Sequence, residues 1–249
     1  MEVSEHITAL RVEGKRLSAA AASVSFDAKV PSCPDWVVRD LVRHQGGVHR
    51  WVTGVVSGPR TEPWIVDLDE VVGSWPPDTE LLEWFEEGNG ALVDALSEAD
   101  PGLECWTFLT APSPLTMWAR RQAHETAIHR VDAELASGRP ITPFSAQFAG
   151  DGIDELLSCF ITRRGGHLLA NPPRSLHVRC VDIAGDWLVR IGADRVETIR
   201  ASDTADCETA GRASDLYLAL WNRKSPAALT IEGDSRVLDL FLDQVHVRW

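Results

Sequence analysis

Apolar residues recur at helical spacing through the first two thirds of the chain and switch to strand-like alternation after Pro173. Residues 4–25 are rich in Ala, Leu, Val, Arg and Glu without proline, which predicts a first helix. The run Val30-Pro31-Ser32-Cys33-Pro34-Asp35 predicts a loop, with Asp35 as N-cap of a second helix from Trp36 to about Val56. Gly46-Gly47 inside that helix costs about 1 kcal/mol per glycine relative to alanine, tolerable where a neighbour must approach the backbone closely. Pro76-Pro77-Asp78 opens a third helix with Leu81, Phe85, Leu92 and Leu96 on one stripe. A fourth runs from Pro114 to Leu135, stopped by Gly138 and Pro140, and a fifth spans about Pro143 to Arg163. The breaks Arg164-Gly165-Gly166-His167 and Asn171-Pro172-Pro173 follow.

Beyond them, strands are expected at 176–181, 187–191, 196–199 and 228–232, and helices at 211–221 and 235–242. Short connections between long helices favour antiparallel packing. The expected fold class is therefore α+β: an antiparallel four-helix bundle over 1–165 and a small α/β sandwich domain over 173–249.

Charge narrows the partners. A formal charge of −13 over 249 residues opposes a nucleic-acid or anionic-membrane partner. No apolar run approaches the ~20 residues of a membrane helix, and the N-terminus lacks signal-peptide character, so a cytoplasmic monomer or homodimer is expected. Five scattered cysteines indicate neither a disulfide framework nor a thiolate zinc knuckle. Ten tryptophans read mainly as core packing, although Trp36, Trp51, Trp106 and Trp118 fall close to the candidate chemistry and could wall a pocket.

That chemistry centres on His124-Glu125-Thr126-Ala127-Ile128-His129. Glu125 and His129 are four residues apart, so about 40° separates them around a helix and both can reach one point. His124, five residues from His129, is carried about 140° away, which excludes the zinc-protease arrangement of two histidines on one face. A third ligand is expected from the second helix. His44 shares the inward stripe of Val37, Leu41 and Val48, whereas His49 is turned about 140° from it and is expected at the rim or outside. A His-Glu-His set suits catalytic Zn²⁺ with open positions, and iron or nickel can use similar ligands. The alternative reading of the same residues is a core histidine hydrogen-bonded to its neighbours. His124 and Asp132 are possible outer partners of a ligand. Arg121 and Arg130 are expected in solvent, and Cys33 is the one cysteine placed to matter.

The stretch from Trp36 to His44, with Cys33-Pro34 before it, closely resembles the first motif of the mycothiol-dependent maleylpyruvate isomerase family. The stretch from His124 to Glu134 is similar to that family's second motif. The tail, with Ala213 to Arg223 and Ile231-Glu232-Gly233-Asp234, resembles its C-terminal domain, itself similar to sterol-carrier-protein folds. Asn222 stands where the family usually has glycine before an arginine.

The resemblance implies a DinB-like N-terminal domain that holds a divalent metal, most simply Zn²⁺, on His44, Glu125 and His129. It also implies mycothiol as thiol co-substrate, activated as thiolate to attack a small-molecule electrophile in an isomerase or S-transferase reaction. Arg223 is the candidate to grip an acidic co-substrate, its alternative being a salt bridge near Asp215 or Asp234. Two other readings keep the scaffold: a metal-dependent hydrolase with water as nucleophile, and a non-catalytic metal-binding regulatory protein.

Overall fold

The computed structural model describes residues 1–58, 60–163 and 167–246, so Arg164, Gly165 and Gly166 of the expected break lie outside the described residues. The chain divides into two compact units, Met1–Thr142 and Pro143–Trp249. The helix expected from Pro143 therefore groups with the second unit.

The first unit carries α1 (Val3–Ala21), α2 (Val38–Ser57), a short α3 (Leu68–Val72), α4 (Leu81–Glu98) and α5 (Pro114–Ala136). α1 packs on α5 and α4, and α2 packs on α4 and α5. Between α1 and the paired α2 and α4, Leu17, Leu41, Val42, Leu81 and Phe85 form a fully buried core. α5 starts where the sequence indicates: the Ser113 side chain accepts the Thr116 N–H, and Pro114 stands in the first turn. Gly138, at φ 67°, ends it.

α2 starts two residues later than expected, and Asp35 is not its cap. Val37 is held extended by a bridge to Lys29, and Asp40 reaches back to accept the Val37 N–H at 2.9 Å. The expectation for Gly46 is met by Trp84 of α4, whose ring occupies the space a Cβ would need. Arg50 lies over that ring at 3.7 Å and donates to the Trp84 carbonyl. The short α3 was not foreseen, because its five residues bury nothing and so carry no apolar stripe; Asp67 caps it.

The second unit begins with α6 (Ala146–Asp154), which continues in wider π-type turns over Glu155–Phe160. Among the described residues, five strands follow: β1 (Arg174–Cys180), β2 (Asp186–Ile191), β3 (Val196–Ile199), β4 (Cys207–Gly211) and β5 (Thr230–Gly233). Their order is β3-β2-β1-β4-β5, with β1 and β4 parallel and the other pairs antiparallel. β4 was not expected, since Cys-Glu-Thr-Ala-Gly has little of the β-branched alternation that marks a strand. α7 (Ala213–Leu220) and α8 (Arg236–Gln244) lie against the sheet.

Candidate metal centre

α5 is buried on every side: each residue from Arg121 to Glu134 is shielded from solvent. Its polar residues therefore need partners within the protein. Arg130, expected in solvent, instead pairs with Glu13 of α1 and Glu134, each at 2.7 Å, and donates to the Thr142 carbonyl. Arg121, also buried, brings Nε to 3.8 Å from Glu125 Oε2. An amphipathic reading fails here because α5 has no solvent face.

Glu125 and His129 rise from this helix towards His44 on α2. One donor atom from each of the three side chains lies within 4.8 Å of the other two. His44 Nε2 is 3.7 Å from Glu125 Oε1, and the His44 and His129 rings meet edge-on at 5.2 Å. Oε2 of Glu125 accepts a hydrogen bond from Gln122 at 3.0 Å, which leaves Oε1 turned to His44. Nδ1 of His129 is 2.8 Å from Asp132 Oδ2, so the nitrogen His129 can bring to an ion is Nε2. Two imidazoles and a carboxylate suit a divalent transition ion, and the outer partner on His129 is the kind a ligating histidine has.

The surroundings of Glu125 and His129 favour a carboxylate and a neutral imidazole. Burial opposes ionisation of Glu125, but His44 beside it and the charges of Arg121 and the histidines outweigh that and hold its carboxyl down at about 2. Burial pushes the His129 imidazole below the usual range, partly countered by Asp132.

Trp36 stands against both histidine rings, 4.8 Å from His44 and 5.9 Å from His129. Trp51, Trp106 and Trp118 form a separate aromatic cluster with Phe108. His124 does not join the Glu125 group; its ring lies 6.0 Å from that of His6. His49 departs from expectation. It is wholly buried, with Nε2 2.9 Å from both Thr126 Oγ1 and Gln45 Nε2, because α4 and α5 cover that flank of α2 as well. Its imidazole is pushed down to about 3 by burial. Cys33 is one of five free cysteines, its Sγ 3.8 Å from Asp132 Oδ2.

Arg223 lies in the second unit, just beyond α7. Asn222 before it has φ 59°, the left-handed region that glycine fills most readily and asparagine tolerates, which explains the replacement seen in the sequence. Asp215 and Asp234 pair with Lys224 and Arg236, and the Arg223 guanidinium donates to the Trp221 carbonyl.

The sequence matches the Mycothiol maleylpyruvate isomerase N-terminal domain over residues 7–134 and the MDMPI C-terminal domain over residues 147–240. No curated protein matches it. Among solved structures, it is similar to a crystal structure of the mycothiol-dependent maleylpyruvate isomerase, with a TM-score of 0.61. It is also similar to a histidine-to-alanine mutant of that enzyme, with a TM-score of 0.64. Both are 15% identical in sequence and share 93% of this chain and 93% of theirs, a likeness of fold. With one family domain covering more than half the sequence and its companion following in order, the chain belongs to the mycothiol maleylpyruvate isomerase family of enzymes.

Proposed function

We propose that this protein is a metal-dependent enzyme that uses mycothiol as a nucleophile against a small electrophile, as an isomerase or an S-transferase. The convergence of His44, Glu125 and His129 on one point from two helices carries the reading. Those three residues would hold the ion, most simply Zn²⁺, whose bound presence supplies the charge that lowers a thiol pKa to near neutrality.

The chain's own residues do the rest. Gln122 and Arg121 fix the Glu125 carboxylate, and Asp132 fixes the His129 ring. His44, with 15% of its side chain exposed against none for His129, marks the open side from which a thiol enters. Trp36 walls that side with an apolar ring and restricts water beside the two imidazoles. Arg223, in the second unit, is a candidate for gripping a carboxylate on the family resemblance alone. Addition of thiolate to a cis double bond, rotation and elimination would give isomerisation; displacement that keeps the sulfur bond would give transfer.

Elemental analysis of protein purified without chelator, followed by turnover with and without mycothiol, tests this. One ion per chain and strict thiol dependence are expected. Turnover that persists without the thiol would point to water as the nucleophile and to the hydrolase reading.

A further inference from the structure

The connector between α1 and α2 does more than join them. Ser32 Oγ donates to Asp132 Oδ1 at 2.5 Å, across a hundred residues of sequence, and the Cys33 thiol lies 3.8 Å from Oδ2 of the same carboxylate. Oδ2 in turn meets His129 Nδ1 at 2.8 Å, with Asp132 and His129 both fully buried. Four residues on, Trp36 lies against the His44 and His129 rings. The hydrogen-bonded chain Ser32–Asp132–His129 thus runs from a half-exposed turn into the centre.

We propose that Ser32 is a positioning residue for the metal centre, acting through Asp132 to hold His129 in the tautomer with its proton on Nδ1. A hydroxyl bonded to Oδ1 restrains the carboxylate's terminal torsion and so keeps Oδ2 at 2.8 Å from Nδ1, where it accepts from Nδ1–H. Without the anchor, Asp132 can turn about its terminal torsion and the ring loses its fixed direction. The inference rests on the metal-centre reading for its consequence, but the tautomer itself is a property of the metal-free protein.

Two measurements separate the two. Long-range ¹H–¹⁵N correlation spectra of the metal-free protein report the His129 tautomer. Wild type and Ser32→Thr are expected to show the Nδ1–H form alone, and Ser32→Ala a mixture. Co²⁺ titration, followed by its visible absorption, is expected to show affinity for Ser32→Ala about 10-fold weaker than wild type, the lower end of the range for outer partners of ligands. The band positions should also shift, and threonine should restore both. If Ser32→Ala keeps the wild-type tautomer, the inference is overturned, whether or not the ion binds. If the tautomer changes but wild type takes up no Co²⁺, the positioning role stands and the metal reading falls.

Discussion

His129 and Asp132 lie 2.8 Å apart, Nδ1 to Oδ2, and neither side chain has exposed surface. Such a pairing fixes both the tautomer and the direction of the ring, and raises the basicity of the nitrogen left for an ion. Asp132→Asn keeps the shape but presents either a donor or a weaker acceptor. Zinc affinity, measured by competition with a chromophoric chelator, is expected to fall about 10–100-fold. Unchanged affinity would remove Asp132 from the metal centre.

An ion that binds only the folded protein raises its stability, by about 2.7 kcal/mol when the free ion is at a hundred times its dissociation constant. Thermal unfolding of wild type is therefore expected to move upward as Zn²⁺ is added. His44→Ala and Glu125→Ala should fold without added metal and show no such shift, since each deletes one of the three converging donors. Shifts equal to wild type in both variants would place the ion elsewhere.

His49 gives the fold a dependence on acidity. Its folded pKa is pushed down to about 3 by burial from an ordinary 6.5, so between those values the unfolded chain takes a proton that the folded chain refuses. The stability it confers is complete above pH 6.5 and drains away as the pH falls towards 3. Over the full interval that amounts to a few kcal/mol, at about 1.36 kcal/mol per pKa unit. Urea unfolding between about pH 5 and 6.5 lies above most carboxylate titration and reads this contribution. Wild type should lose stability more steeply across that window than His49→Gln, and parallel slopes would contradict the assignment.

The long periodic helices and the pairing of Glu125 with His129 were legible from helical phase, and the inward stripe of α2 favoured His44 over His49. The family resemblance was needed to join the three in one set. What escaped was set by tertiary cover. His49, Arg121 and Arg130 were assigned to solvent on the premise that a helix has one polar side. α5 has none, and α2 is covered on two flanks. Ser32 gave no signal, because its partner stands a hundred residues away. β4 and α3 were missed for a simpler reason, as neither carries a pattern of apolar positions.

Gly46 and Gly90 offer a matched pair for testing how α2 meets α4. Alanine is the better helix former by about 1 kcal/mol, so propensity alone favours both substitutions. At Gly90, inside α4, nothing lies within 4 Å of an added Cβ, and Gly90→Ala is expected to raise stability by about 0.5–1 kcal/mol. At Gly46 the new methyl would enter the Trp84 ring. That ring has no easy retreat, since Arg50 stacks on it at 3.7 Å and also donates to the Trp84 carbonyl at 2.6 Å. Gly88 in turn leaves the space that the Arg50 guanidinium fills. Overpacking of this kind costs about 1–3 kcal/mol, which exceeds the propensity gain. Urea unfolding should therefore show Gly46→Ala destabilised and Gly90→Ala stabilised. A stabilised Gly46→Ala would mean that Trp84 moves aside freely and that close approach is not what the glycine serves.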